Sequence, residues 1–171
     1  MVLNINQYDA GYYGDVESDL KRKSGYSNYL EQQSQALIQK RLQTFLDRYN
    51  IPKNAKILEL GAGCGHLAKL ARENGYTNWI AVDWSAWCQA NKVFDSLIKQ
   101  DALSYLQTQP DNSFDYIISR ALVECFSAND LVKFLDECSR VGTNQIHDTF
   151  PDPNPNYYNK VALTSVIKKY G

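Results

Sequence analysis

Histidine is scarce in this 171-residue chain, with only His66 and His147 present, and the four cysteines (Cys64, Cys88, Cys125 and Cys138) stand far apart with no C-x-x-C pair among them. That pattern argues against a zinc site, and no metal is expected. The cysteines read instead as small buried apolar side chains in a reducing compartment. No apolar run approaches the roughly 20 residues needed to span a bilayer. Met1 to Gln7 lack the basic start and apolar stretch of a secretory signal. These absences together lead to the expectation of a cytoplasmic protein with no membrane partner. An excess of one charge sign is missing as well. A net charge of −1 creates no global basic field, so a nucleic-acid partner is not supported. No internal repeat or low-complexity segment is present.

What is there is ordinary for a folded chain, with 44% hydrophobic and 22% charged residues. The length suits one domain over 1–171 with room for a real core. It is read as an N-terminal arm and helix over 1–50, a core over 55–150, and a C-terminal loop and segment over 151–171. Tyrosine is abundant, at twelve residues, and five of them lie early, at Tyr8, Tyr12, Tyr13, Tyr26 and Tyr29. They read either as half-buried packing or as an aromatic rim over a ligand pocket, since tyrosine combines apolar area with a polar tip.

Residues 1–25 have no clean period and read as an irregular or partly helical arm. Its basic triplet, Lys21-Arg22-Lys23, reads as a solvated face. Ser27 or Asn28 can cap a following helix. Leu30, Leu37, Phe45, Leu46 and Tyr49 then recur at near-helical spacing, and the helix should stop near Asn50, before Pro52.

From Lys56 strands and helices alternate. Ile57-Leu58-Glu59-Leu60 reads as a short buried strand, followed by a helix carrying Leu67, Leu70 and Ala71 on one face and ending near Gly75. Trp79 to Val82 reads as a second strand ending at Asp83, and Ser85 can cap a helix through about Phe94. A third strand holds Leu97-Ile98 and ends at Asp101. After a turn at Asp111-Asn112-Ser113, Phe114 to Ser119 form a fourth strand. Leu131, Phe134, Leu135 and Cys138 mark a helix, and Asn144 to Phe150 a fifth strand. Pro151, Pro153 and Pro155 then break regular structure. Tyr157 to Tyr170 reads as helix, with a strand over Val161 to Ile167 as the alternative. Strands separated by helices imply right-handed crossovers and a parallel sheet, whose ligands bind beyond the carboxyl ends of the strands at the switch in strand order. Glu59, Asp83, Asp101, Ser119 and Asp148 fall at or near those ends.

Gly61, Gly63 and Gly65 stand between the first strand and its helix. Glycine lets backbone approach a ligand closely, and the helix start offers unpaired N–H groups. Asp83 lies 18 residues beyond Gly65 at a strand end, where a carboxylate can accept from two vicinal ribose hydroxyls or simply cap the next helix.

Glu59-Leu60-Gly61-Ala62-Gly63-Cys64-Gly65 resembles motif I of the class I S-adenosylmethionine-dependent methyltransferases. Val82-Asp83-Trp84-Ser85, Gln100-Asp101-Ala102-Leu103 and Phe114-Asp115-Tyr116-Ile117-Ile118-Ser119 resemble their second, third and fourth motifs, in order and spacing over about residues 55–150. The resemblance implies an α/β fold: a three-layer Rossmann-like sandwich with a mainly parallel sheet of about five strands, helices on both faces and an N-terminal helical arm. It implies S-adenosyl-L-methionine as cofactor and S-adenosyl-L-homocysteine as product. It further implies roles for Glu59 beneath the methionine moiety, the Gly61–Gly65 backbone (Ala62 included) beside methionine and ribose, and Asp83 on the ribose hydroxyls. Trp84 would lie against adenine, Asp101 and Ala102 at the adenine amino group and a ring nitrogen, and the Ser119 carbonyl at the ammonium. Trp84 could instead pack its helix onto the sheet, and Asp101 could be a helix cap.

In such enzymes the cofactor carries the reactive group, so candidates for chemistry come from what surrounds the acceptor. Arg120, Glu124 and His147 are the catalytic candidates; Arg120 and Glu124, four apart, could equally pair with each other. Tyr26, Tyr29 and Asp148 are the candidates for binding a small-molecule acceptor. Asp152-Pro153-Asn154-Pro155 superficially resembles the motif of amino-methylating nucleic-acid enzymes, but its second proline is displaced and it follows the fifth strand rather than the fourth. About 21 residues follow Phe150, too few for the helix and strand pair that usually complete the fold. The fifth strand could then be an open edge, covered by a homodimer partner, a heteromeric subunit or the C-terminal segment. Two rival readings follow: a non-catalytic cofactor-binding subunit, and an NAD-binding oxidoreductase.

Overall fold

The structure, a computed structural model, describes residues 11–14 and 29–148. The expected cap at Ser27 or Asn28, the basic triplet, Tyr8, Tyr26 and the segment 151–171 lie outside the described residues.

Two helices come first, α1 (Tyr29–Gln32) and α2 (Gln35–Tyr49). This corrects the single helix expected from about residue 28. The break falls at Gln33 and Ser34, and the buried face of α2 is not the one expected. Ile38, Leu42 and Leu46, spaced i, i+4, i+8, face the core. Leu30, Leu37 and Tyr49, assigned to that face from sequence, are exposed, Leu30 to 43%. The helix stops as expected: Asn50 takes a left-handed conformation (φ +48°) and its N–H donates to the Leu46 carbonyl, ahead of Pro52.

The strands are β1 (Ile57–Leu60), β2 (Trp79–Asp83), β3 (Ile98–Lys99), β4 (Phe114–Arg120) and β5 (Gly142–Asp148). The intervening helices are α3 (His66–Glu73), α4 (Ala86–Ala90), α5 (Ala102–Gln107) and α6 (Ala128–Val141). The sheet order is β3-β2-β1-β4-β5, and every pairing is parallel. Alternate residues of β1 point to opposite layers. Ile57 packs with Trp79, Ala81 and Ile118 under Leu42, Leu46, Ala68 and Ala71 of α2 and α3. Leu58 and Leu60 pack with Val82 and Ile117 under Leu106, Leu131, Phe134 and Cys138 of α5 and α6. Both faces are covered, which is why the central strands read as apolar runs rather than alternating ones. This is the three-layer α/β, Rossmann-like fold.

Further boundaries differ from the sequence reading, β3 among them, which holds Ile98–Lys99 and leaves out Leu97, Gln100 and Asp101. The helix capped by Ser85 ends at Ala90, not near Phe94. There the Asn91 amide donates to the Trp87 carbonyl and the Val93 N–H donates to the Cys64 carbonyl, drawing the chain onto the glycine loop. A short helix, α5, fills the span between β3 and the turn at Asn112. The Asp101 side chain caps it, accepting from Ser104 N–H. β5 begins at Gly142, two residues before the expected Asn144; Thr149 and Phe150 lie outside the described residues. Gly142 is needed there because a Cβ would come within 2.6 Å of the Ile117 side chain.

In the order β3-β2-β1-β4-β5 the chain runs outward one way from β1 and then the other way from β4. Their carboxyl ends therefore open a crevice at the switch point.

Candidate functional site

A cavity of about 260 Å³ occupies that crevice. Gly61 and Gly63 form its floor, Val82, Asp83 and Trp84 one wall, Gln100, Asp101 and Ala102 one end, and Arg120, Ala121, Leu122, Cys125 and Phe126 the other; Tyr12, Tyr13 and Tyr29 close it from above.

The glycine loop is built by conformation. Gly61, Gly63 and Gly65 have φ of +70°, +59° and +83°, a region costly for other residues. Space matters too. A Cβ on Gly63 would run into the Tyr29 hydroxyl, and one on Gly65 would sit 2.6 Å from the Phe94 Cβ. Gly63 thus belongs to the cavity floor, while Gly65 is a packing position beneath Phe94. Ala62 is buried in the turn, and the Gly61 and Ala62 N–H groups both donate to the Val82 carbonyl, 2.9 and 3.1 Å.

Asp83 is held by the backbone on both sides. One carboxylate oxygen accepts from Gly63 N–H and the other from Ser85 N–H, each at 2.8 Å. Burial nonetheless raises its pKa to about 6, partly offset by those two bonds. Glu59 lies one layer deeper, where Trp79 Nε1–H donates to its carboxyl at 2.9 Å. Burial dominates here, and its pKa is pushed up to about 8, the Trp79 bond opposing and the nearby Asp83 adding to the rise. The protonated form of Glu59 is thus favoured near neutral pH, and Glu59 does not line the cavity.

Above the loop, four rings interlock. Tyr13 stacks on Trp87 (centroids 4.5 Å apart, 8° between planes), with Tyr12 and Tyr29 edge-on to Tyr13. Tyr29 N–H donates to the Tyr13 carbonyl at 2.9 Å, tying residues 11–14 to α1. Burial, and then the adjacent Asp83, push the Tyr13 phenol well above its ordinary pKa, so it stays neutral. Of the five early tyrosines, the three described ones, Tyr12, Tyr13 and Tyr29, all line the cavity, which agrees with the rim reading for those positions.

The β4–β5 side is organised by side chains. Ser139 donates its hydroxyl to the Leu135 carbonyl, so its oxygen accepts from Gln145 Nε2 at 2.7 Å. That orients Gln145 Oε1 toward His147 Nε2, 3.3 Å away. His147 is half-buried beside Phe134, and its desolvation there lowers its pKa to about 4. A neutral ring with its proton on Nε2 leaves Nδ1 to accept from the Ser119 hydroxyl at 2.8 Å. His147 is thus engaged at both nitrogens, and it is absent from the cavity wall.

Arg120 ends β4 and does line the cavity, with Nε 3.6 Å from Asp148 on β5. Ala121 follows at φ +52°, its N–H donating to the Asp148 carbonyl at 2.9 Å. Glu124 lies on a 3₁₀ turn (Val123–Cys125) between the lining residues Leu122 and Cys125. The structure brings Gly61, Gly63, Asp83, Trp84, Asp101, Ala102, Tyr29 and Arg120 to one cavity. It sets Glu59, Ala62, Gly65, Ser119 and His147 behind the wall. Gln100, Leu122, Cys125 and Phe126 line the cavity without having been singled out from sequence; of these only Gln100, next to Asp101, carried a motif signal.

A switch-point cavity with a glycine floor and a strand-end acid is the site of an α/β protein that binds an adenosine-bearing cofactor. Residues 29–141 match the family model of the methyltransferase domain, and the chain belongs to that family, the class I S-adenosylmethionine-dependent methyltransferases. No curated protein sequence matches. Solved structures do. An S-adenosylmethionine-dependent methyltransferase from Archaeoglobus fulgidus is 25% identical, with 63% of this chain and 48% of that chain covered and a TM-score of 0.54. One from Aquifex aeolicus is 16% identical over 80% of this chain and 87% of that one, TM-score 0.56. The magnesium protoporphyrin IX methyltransferase of Synechocystis, solved with bound S-adenosylmethionine, is 14% identical over 81% and 73%, TM-score 0.51. The last two show likeness of fold. The chain spans about half the length of the Archaeoglobus protein. Among the described residues, no helix is long and apolar enough to cross a membrane.

Proposed function

We propose that residues 29–148 act as one unit that binds S-adenosylmethionine in the switch-point cavity and directs its methyl group to a small-molecule acceptor. The observation that carries this reading is Asp83: a buried carboxylate, fixed by Gly63 and Ser85 N–H groups, on the wall of a cavity with a glycine floor. Each oxygen keeps lone-pair capacity for one ribose hydroxyl. Around it the residues fit the cofactor. Trp84 offers an aromatic face for adenine. Asp101 caps α5 with one oxygen, which is compatible with its other oxygen accepting from the adenine amino group beside Ala102 N–H. Tyr29, whose hydroxyl stands over Gly63, supplies a further polar contact.

When bound, the sulfonium supplies an electrophilic methyl group. What the chain supplies is orientation and dryness: holding an acceptor lone pair in line with that methyl at roughly 3 Å while water is excluded. The tyrosine rim serves the exclusion. His147 acts indirectly, by fixing Ser119. Of the other two candidates for chemistry, Arg120 on the cavity wall meets the acceptor, and Glu124, between the lining residues Leu122 and Cys125, takes the acceptor's proton.

Calorimetry with S-adenosylmethionine and S-adenosylhomocysteine tests this. Wild type should bind both, and Asp83→Ala should weaken binding at least tenfold, about 1.4 kcal/mol. No binding of either at millimolar concentration would refute it. A second reading, a cofactor-binding subunit completed by a partner, is favoured by one observation: among the described residues β5 pairs on one side only, with β4. Light scattering separates the two, since a monomer that turns over methyl donor alone excludes the second. The nicotinamide reading gains nothing from the family match.

A further inference from the structure

The cavity is electrically lopsided. Both of its carboxylates, Asp83 and Asp101, stand on the β2–β3 side. Among the described lining residues the only cation is Arg120, on β4 at the other end. Its immediate neighbours on the wall are apolar: Leu122, Cys125 and Phe126. The backbone there is strained, with Ala121 at φ +52°, and the strain is held by the Ala121 N–H donating to the Asp148 carbonyl. That elbow ends β4 at Arg120 and turns the following residues along the cavity wall. The Arg120 side chain is 31% exposed and that of its ion-pair partner Asp148 is 66% exposed, at 3.6 Å. At 3.6 Å the contact is too long for a hydrogen bond, and the exposed Asp148 carboxylate can turn into water.

We infer that Arg120 is the acceptor-recognition group of the proposed methyl transfer, selecting a small acceptor that carries a carboxylate on an apolar body, and that Asp148 stands in for that carboxylate until the acceptor displaces it. This rests on the cavity being the methyl-donor site. A guanidinium matches a carboxylate through paired N–H donors. Leu122 and Phe126 provide the surface on which the acceptor's apolar body lies. The methionine carboxylate is the other anion that could reach this cavity. The S-adenosylhomocysteine affinity of Arg120→Gln separates it from an acceptor carboxylate.

The test is calorimetry on full-length protein saturated with S-adenosylhomocysteine. The probes are matched pairs: benzoate with benzamide, 4-hydroxybenzoate with 4-hydroxybenzamide, and phenylacetate with phenylacetamide. Wild type should bind at least one acid about tenfold more tightly than its amide. Arg120→Gln should erase that preference, and Asp148→Asn should tighten the acid about threefold by removing the competing carboxylate. Both variants should bind S-adenosylhomocysteine within about twofold of wild type, which also reports that they fold. If S-adenosylhomocysteine binds but no pair shows an acid preference, or Asp148→Asn weakens the acid, the inference is overturned and the methyl-donor site stands. A tenfold loss of S-adenosylhomocysteine in Arg120→Gln, with the acid preference intact, would assign the guanidinium to the methionine carboxylate and overturn it. Failure of wild type to bind S-adenosylhomocysteine overturns both.

Discussion

The two ends of the cavity are made differently. On the β1–β2–β3 side, polar side chains are fixed by nearby backbone: Asp83 by Gly63 and Ser85 N–H, Asp101 by Ser104 N–H. On the β4–β5 side, the fixing groups are side chains on different elements. The relay from Ser139 through Gln145 and His147 reaches Ser119, and Arg120 meets Asp148. A backbone-held end tolerates little change and suits the invariant part of a ligand. A side-chain-held end can be rebuilt by substitution, which suits the part of the reaction that differs between family members.

The sharpest way to break this contrast is at Gly63. Gly63→Ala adds a Cβ at φ +59° against the Tyr29 hydroxyl. It should abolish measurable S-adenosylhomocysteine binding and destabilise the fold by about 1–3 kcal/mol, read by calorimetry and thermal unfolding. Gly65→Ala should separate packing from binding. With its Cβ 2.6 Å from Phe94, it should cost a similar amount of stability, while a cofactor affinity measured below the melting transition falls less than for Gly63→Ala.

Smaller effects should appear on the other side. His147 is held neutral, its pKa lowered to about 4 from 6.5 by burial. Between those values the unfolded chain binds more protons than the folded one, so this group's contribution is present above pH 6.5 and is lost as pH falls toward 4. His147→Gln should flatten the acid limb of a denaturation-versus-pH series, and an unchanged limb would place the acid sensitivity elsewhere. Glu59 has the opposite sign. Its pKa is raised from 4.5 to about 8, so the folded state binds more protons in that window and stability declines as pH rises through it. Glu59→Gln keeps an acceptor for Trp79 and should gain on wild type progressively from pH 4.5 to 8, then hold level. Urea titrations at four or five pH values would show it.

The same contrast explains what the sequence disclosed. Glycine spacing, Asp83 and Asp101 are local signals: each residue's partners lie within about twenty positions, and strand–turn–helix order alone places them at the crevice. The parallel sheet was legible because both-face burial leaves continuous apolar strands. Leu122, Cys125 and Phe126 carried no signal because a single left-handed residue, Ala121, turns them to the cavity, and nothing in an Arg-Ala-Leu run announces that turn. His147 was read as a candidate base; its engagement at both nitrogens depends on Ser139 and Gln145, which no periodicity links. The face of α2 was misjudged for a related reason. The break at Gln33 and Ser34 takes Leu30 out of phase with Leu46, while Leu37, nine residues before Leu46 in the same helix, lies half a turn away from it.

The Glu59–Trp79 hydrogen bond has an optical side. The chain has three tryptophans, at different depths around the cavity: Trp79 in the core on a titrating carboxyl, Trp84 on the cavity wall, Trp87 under Tyr13. Intrinsic emission is thus a set of three reporters at different depths. Ionisation of Glu59 should register at Trp79, an adenine ring at Trp84, and any lifting of the tyrosine rim at Trp87, so single Trp→Phe variants would turn one spectrum into three separate readings of the site.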